Sequence, residues 1–211
     1  VYIPHSVKLS SKVNDIHMPI FSSDKFIILV QASNYETFDR KGFMQMFNAF
    51  SMFKSRVSNA HMYVHSPSAT NIFPEYQGNT QFDLSRGMPL QYIKTLFNIS
   101  ETDVTIDETV YNSSVVAFMK KNANVCLHTS KVEGFGMNIV ECQKAGTPVV
   151  TTKFGAMDDN TCFGISVPPG AYSFHIRGIV AEPDSIGTAD ALYKIYTNAF
   201  EQSEERCFNW I

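Results

Sequence analysis

The sequence predicts an α/β protein with a Rossmann-like, three-layer αβα architecture and a mostly parallel sheet. Short apolar segments alternate along the chain with helical patterns, which is typical of strand-helix-strand units. The apolar segments, such as Phe26–Val30, are continuous, as in strands buried on both faces. Right-handed crossovers then place helices on both sides of the sheet. Such sheets bind ligands at the carboxyl ends of their strands.

The individual elements follow from apolar runs, helical spacing and glycine or proline breaks. In the first helix four phenylalanines recur at helical spacing, so we assign them to the core. A polar stretch over residues 66–87 predicts a long loop. The predicted strands are Phe26–Val30, His61–His65, Asp103–Ile106, Val125–His128 and Pro148–Thr151, followed by an irregular segment with a short strand between Tyr172 and Val180. The predicted helices are Lys41–Arg56, Pro89–Phe97, Asn112–Ala123, Gly136–Ala145 and Ile186–Phe200.

Composition excludes several classes of protein. With 211 residues, 44% hydrophobic and 18% charged, the chain can bury one sizeable core. A net charge of −3 argues against nucleic-acid binding. No apolar run reaches the roughly 20 residues of a membrane span, and no signal peptide is recognisable. We therefore expect a cytoplasmic protein, with peripheral membrane association of a longer form left open. A chain that begins with Val is expected to be a piece of a longer protein.

The four cysteines lie far apart in the sequence and form no CxxC pair, which disfavours a zinc site. Cys126 lies in an apolar run and Cys142 in a predicted helix, so both are expected to be free, buried thiols. Free thiols favour a reducing compartment.

The segment between Val125 and Thr152 carries the chemistry, since it reads as strand, glycine turn, helix, glycine stop and strand. Gly134 and Gly136 allow a tight turn and close approach of the backbone to a ligand. The helix that follows begins with amide groups that have no intrahelical partner, and its dipole favours an anion. A diphosphate meets that requirement.

Glu133 and Glu141 flank this turn at E-x7-E spacing, within the sequences EGFGMNIVEC and AGTPVVTT. Together they resemble the donor-binding motif of family 4 retaining glycosyltransferases of the GT-B fold. Three further segments resemble that family in order and spacing: Tyr2–Val7, the Arg40-Lys41-Gly42 turn and Cys207–Trp210. The resemblance spans nearly the whole chain and implies the C-terminal half of such an enzyme. Residues 1–24 are then a loosely organised opening segment, residues 200–211 begin a crossover helix, and the N-terminal acceptor domain is absent.

The resemblance also implies a role for individual residues. Lys41 matches the lysine on the donor diphosphate, with Arg40 beside it. Glu133 matches the glutamate near the donor sugar, and Lys41 and Glu133 are the candidate catalytic residues. Glu141 matches the ribose ligand, and Ile106 lies near the base. The phosphate and sugar cradle is assigned to Gly134, Phe135, Gly136, Met137 and Asn138.

The implied substrate is a UDP-, GDP- or ADP-sugar, with no tightly bound cofactor. The acceptor, a glycan or small glycoside, would bind through the first domain. Asp158–Asp159 lacks the D-x-D spacing of metal-dependent transferases, so no metal is expected. One departure from the family is Asn34-Tyr35, where an arginine is common.

Two alternatives share the predicted fold. A degenerate module would bind a nucleotide sugar without turnover, and the Asn34-Tyr35 departure favours it. Another GT-B enzyme, such as a nucleotide-sugar epimerase, would use the same donor without an acceptor. A dehydrogenase is disfavoured, because no G-x-G-x-x-G follows the first strand.

Overall fold

The computed structural model describes residues 16–35, 38–67, 87–175 and 178–200. The segments Tyr2–Val7 and Cys207–Trp210, and most of the predicted loop at 66–87, lie outside these residues. The described strands are β1 (Phe26–Gln31), β2 (Ala60–His65), β3 (Val104–Asp107), β4 (Val125–His128), β5 (Val149–Thr152), β6 (Gly164–Val167), β7 (Ala171–His175) and β8 (Gly178–Glu182). The described helices are α1 (Phe43–Lys54), α2 (Leu90–Leu96), α3 (Ser113–Asn122), α4 (Met137–Lys144), α5 (Ala156–Asp159) and α6 (Ser185–Tyr196).

Six strands form one parallel sheet in the order β3-β2-β1-β4-β5-β6. From β1 the chain adds β2 and β3 toward one edge of the sheet. It then returns to the centre, where β4 pairs with β1, and adds β5 and β6 toward the other edge. The carboxyl ends of β1 and β4 therefore flank a crevice, which is the usual ligand site of doubly wound sheets. This topology confirms the predicted α/β, Rossmann-like class.

The two faces of the sheet bury separate hydrophobic clusters, because successive side chains of a strand point to opposite faces. Ile28 and Val30 of β1 belong to the cluster that contains the buried side chains of α1 and α6. Ile27 and Leu29 belong to the other cluster, with buried side chains of α3 and α4. Burial on both faces explains why β1 is apolar from Phe26 to Val30, and it confirms the three-layer arrangement.

The C-terminal third contains elements that the sequence did not reveal. β6 pairs with β5 as the sixth strand of the parallel sheet. Instead of an irregular segment with one short strand, β7 and β8 form an antiparallel hairpin. One face of that hairpin presents Tyr172, Phe174 and Ile179 to solvent. β7 does alternate apolar and polar residues, but Tyr172 and Phe174 occupy the exposed positions, so the usual inference that the apolar face is buried fails here.

Two cysteines depart from expectation, since Cys126 of β4 and Cys142 of α4 form a disulfide. The expectation of free thiols at these positions is therefore wrong. Packing of α4 on the sheet brings their Cα atoms to 6.4 Å, within disulfide range, although 16 residues separate them in sequence. Cys162 is also buried.

Within the described part of the chain, no helix combines the length and the apolar character that crossing a bilayer requires.

The buried phenylalanines of α1 provide a test of the core. Phe47 is fully buried, so Phe47→Ala should lower the free energy of unfolding by about 3–5 kcal/mol through lost contacts and a cavity. The matched control is Phe174→Ala, because that side chain is 90% exposed and its removal should change stability by less than about 0.5 kcal/mol. Urea denaturation measures both changes, and equal effects would contradict the assignment of α1 to the core.

Candidate functional site

A cavity of about 570 Å³ opens at the carboxyl ends of the central strands. It lies where the strand order reverses, between the ends of β1 and β4. The first residues of α4 and one face of α3 complete its wall. Its lining includes Gln31, Ala32, Ser33, Tyr35, Lys41, His65, Pro67, Val116, Lys120, His128, Glu133, Phe135, Gly136, Met137, Asn138 and Glu141.

The β1–α1 loop is docked on the β4–α4 loop by its backbone. The Asp39 carboxylate accepts hydrogen bonds from the amides of Phe43 and Met44 at 2.7 and 2.9 Å, which caps α1. Gly42 follows with a φ of 74°, and a Cβ there would collide with the carbonyl oxygen of Thr129. The adjoining Lys131 amide donates to the Arg40 carbonyl at 2.8 Å. The turn therefore has to contain glycine, and its docking presents Arg40 and Lys41 to the second loop.

The β7–β8 hairpin supports the same two loops from outside. The Lys131 carbonyl accepts from the Ala181 amide at 2.9 Å, and the Lys131 ammonium lies 2.8 Å from Glu182. Phe38 stacks on His175, with ring centroids 4.1 Å apart. The hairpin is therefore part of the scaffold of the site.

Glu133 is the centre of the charged groups in the cavity. Its Oε1 lies 2.5 Å from Lys41 Nζ, 3.3 Å from an Arg40 nitrogen and 3.4 Å from His128 Nε2. The Ser130 hydroxyl also donates to this oxygen, at 3.0 Å. Two cations from one loop thus meet a carboxylate from the other.

Burial alone would raise the pKa of Glu133, but hydrogen bonds from His128 and Lys41, together with the positive charge of Lys41, outweigh it and hold that pKa well below its usual range. Glu133 is therefore a carboxylate at neutral pH. Burial lowers the pKa of His128, although Glu133 opposes the shift. His128 is consequently neutral at pH 7 and donates from Nε2 to Glu133, a structural role in agreement with its packed position in β4.

The amino terminus of α4 forms the opposite wall of the cavity. Gly136 precedes the helix with a φ of 78°, a conformation that glycine adopts readily. The carbonyl of Phe135 accepts from the Asn160 side chain, and the side chain of Asn138 donates to the Gln31 carbonyl at 3.2 Å. The first amides of the helix therefore lie along the cavity as fixed hydrogen-bond donors.

Glu141, one turn into α4, forms an ion pair with Lys120 of α3. Sequence reasoning did not identify Lys120. Its spacing of four residues from Val116 places both on the cavity face of α3, and that spacing is the signal available in the sequence.

Gln31 and His65 also line the cavity and were not identified from the sequence. His65 Nε2 donates to the Thr109 carbonyl at 2.9 Å, so its Nδ1 accepts from the Gln31 amide at 3.0 Å.

The structure gathers most of the predicted site residues around the cavity. Arg40 contacts Glu133 from the side, and Gly134 lies in the turn between cavity residues. Ile106 does not reach the cavity, because it packs against the core on the α1 side of the sheet. The predicted residues that line the cavity are Lys41, Glu133, Phe135, Gly136, Met137, Asn138 and Glu141. Their roles toward a ligand stay predictions.

The positions that depart from the resembled family are also placed. The Asn34 side chain exchanges two hydrogen bonds with the Met88 backbone, donating at 2.8 Å and accepting at 2.6 Å. Asn34 is thus occupied in holding the chain that leads into α2, whereas Tyr35 lines the cavity.

Comparison with known proteins agrees with this geometry. Residues 100–164, from the end of α2 to the start of β6, match the family model described as Glycosyl transferases group 1. This segment contains Glu133 and Glu141. No curated protein sequence resembles the chain significantly.

Solved structures share the fold. Sucrose-phosphate synthase from Thermosynechococcus elongatus superposes with a TM-score of 0.60 at 20% identity, over 86% of this chain and 38% of that one. An α,α-trehalose-phosphate synthase (UDP-forming) from Burkholderia vietnamiensis gives 0.62 at 14% identity, over 89% and 40%. A putative UDP-N-acetylglucosamine 2-epimerase from Listeria monocytogenes gives 0.57 at 10% identity, over 88% and 40%. The chain thus spans about two fifths of these structures and has the Rossmann-like fold of GT-B glycosyltransferases.

The docked turn can be tested through Gly42→Ala. The substitution forces a left-handed backbone on alanine and a clash with Thr129, so it should destabilise the fold by about 1–3 kcal/mol. Gly170→Ala is the control, because a Cβ there meets only ordinary contacts and the change should stay within about 0.5 kcal/mol. Chemical denaturation measures both, and an unaffected Gly42→Ala variant would show that the two loops are not tightly docked.

The ionisation of Glu133 predicts a pH dependence of stability. Because its pKa is depressed in the folded protein, its stabilising contribution is complete above the unfolded value of 4.5 and is lost as pH falls below it. Glu133→Gln should therefore cost about 1–3 kcal/mol at pH 7. The gap between wild type and variant should narrow between pH 5 and pH 3. Urea denaturation across this range checks the prediction, and a gap that does not change with pH would contradict it.

Proposed function

We propose that this chain is the donor-binding half of a glycosyltransferase that uses a nucleoside-diphosphate sugar. The observation that carries the proposal is the convergence of Lys41, Arg40 and the amino terminus of α4 at the cavity, with Glu141 one helical turn further along α4. The first three suit an anionic diphosphate, and a carboxylate suits the hydroxyls of a ribose. The group 1 match over residues 100–164 supports this assignment.

The proposed chemistry is stabilisation of the departing diphosphate. As the bond between the sugar and the phosphate breaks, negative charge grows on the phosphate oxygens. Lys41 and the first amides of α4 are positioned in advance to stabilise that charge. Glu133 orients Lys41, with 2.5 Å between its Oε1 and the lysine Nζ, and we propose that this carboxylate also lies beside the donor sugar. We propose reaction with retention and without a metal, as in family 4, with the acceptor hydroxyl supplied through another domain.

One structural neighbour is a UDP-forming synthase and another is a putative UDP-N-acetylglucosamine 2-epimerase, which makes UDP the first donor nucleotide to test. An epimerase with this fold is the second candidate function, because one structural neighbour is a putative epimerase of a UDP-sugar. The two functions differ in their products. A transferase consumes donor only when an acceptor is present and releases nucleoside diphosphate, whereas an epimerase changes the configuration of the sugar without an acceptor.

The donor site is tested by calorimetric titration of the chain with UDP, GDP and ADP. One diphosphate should bind preferentially, and Lys41→Met should weaken its binding by about ten- to a hundredfold, the value of a charge-assisted hydrogen bond. Lys121→Met is the control, because it removes the same charge from an exposed position. Raising the salt concentration should weaken binding to wild type more than to Lys41→Met.

Two results would contradict the proposal. A folded wild-type chain that binds none of the three diphosphates at millimolar concentration has no donor site. Equal affinities of wild type, Lys41→Met and Lys121→Met would place the nucleotide elsewhere.

A further inference from the structure

Lys120 is a buried lysine that reaches the cavity from α3. Its side chain is only 2% exposed and forms an ion pair with Oε2 of Glu141 on α4. Both residues line the cavity, together with Val116 one turn earlier on α3. Glu141 keeps 22% of its side chain exposed, so the carboxylate is held from the protein side and open on the cavity side.

Stability alone gives little reason for this pair. Burial lowers the pKa of Lys120, which the Glu141 carboxylate opposes, so the ion pair is maintained against a desolvation penalty. Replacing buried ion pairs by well-packed apolar residues is often neutral or stabilising. A buried lysine that is paired with a partly exposed carboxylate in the wall of a ligand cavity points to a role in binding.

The charges in the cavity are arranged in two parts. Lys41, Arg40 and the amino terminus of α4 surround a single carboxylate, Glu133, so that region has an excess of positive charge. The Lys120–Glu141 pair has no net charge. An anionic phosphate is therefore favoured at the first part, and a neutral group with both donors and acceptors is favoured at the second.

We propose that Lys120 and Glu141 together recognise the two ribose hydroxyls through hydrogen bonds. This inference rests on the proposed nucleotide-sugar site. An ammonium group has three N–H donors, and Glu141 uses one of them. A ribose hydroxyl can donate to the carboxylate and accept from the ammonium at the same time. Lys120 is thus a positioning residue for Glu141 and a second contact of the sugar.

This arrangement predicts selectivity for ribose over 2′-deoxyribose. A site built around hydrogen bonds to a hydroxyl rejects an analogue that lacks it, because the buried polar groups are left unpaired. Without Lys120, Glu141 loses its fixed orientation and the hydroxyl loses its donor. Selectivity should then fall, while contacts to the diphosphate remain.

The experiment compares UDP with 2′-deoxy-UDP by calorimetry in wild type, Lys120→Met and Lys121→Met. If GDP or ADP is the diphosphate that binds, it is compared with its own 2′-deoxy form. Wild type and Lys121→Met should bind the ribonucleotide at least about tenfold more tightly than the deoxynucleotide. Lys120→Met should reduce that ratio to about one to three, mainly by weakening the ribonucleotide. Lys120→Arg, which keeps the charge and its donors, should restore part of the ratio.

Several results would overturn the inference. If the wild-type chain binds a nucleoside diphosphate and its 2′-deoxy form with equal affinity, the proposed recognition of the ribose hydroxyls is refuted, while the donor site is not. Lys120→Met that weakens both nucleotides by the same factor would make Lys120 a structural residue only. Wild type that binds neither nucleotide would refute the proposed function itself. Thermal unfolding checks each variant, and Lys120→Gln takes the place of Lys120→Met if the latter does not fold.

Discussion

The site depends on the docking of two loops that follow β1 and β4. Gly42 lies directly against the carbonyl of Thr129, and the Arg40 carbonyl accepts a hydrogen bond from the Lys131 amide. The two loops are therefore held together by backbone contacts, independently of their side chains. The docking places Lys41 and Arg40 against Glu133. Because neither loop belongs to a strand or helix, their mutual contacts and the β7–β8 hairpin supply the rigidity that a binding site needs.

Much of the fold follows from patterns that one segment carries by itself. β1 is predictable because a strand covered on both faces is continuously apolar, and α1 because its phenylalanines recur at helical spacing. The turn before α4 is predictable from its glycines, and Glu133 and Glu141 from their spacing around it. These features depend on local stereochemistry, so they can be inferred without knowledge of the tertiary contacts.

The remaining features depend on partners that are distant in sequence. Lys120 is one of two adjacent lysines in α3, and only the packing of α3 beside α4 buries one of them against Glu141. The disulfide requires β4 and α4 to come together, which spacing alone does not reveal. In the hairpin, the aromatic side chains of β7 lie on the exposed face, so the alternation of its sequence does not indicate which face is covered. The resemblance implies that Ile106 lies near the base, whereas tertiary packing places its side chain against the core on the α1 side of the sheet.

The pairing of Lys41 with Glu133 gives the proposed diphosphate site an internal counter-ion. Any anion that approaches Lys41 competes with a carboxylate that is already in place and already desolvated. In the proposed donor site, inorganic phosphate would bring charge alone to that competition, whereas a nucleotide would also gain contacts along the rest of the cavity. If the site binds a nucleotide sugar as proposed, the internal carboxylate would disfavour small anions relative to that larger ligand.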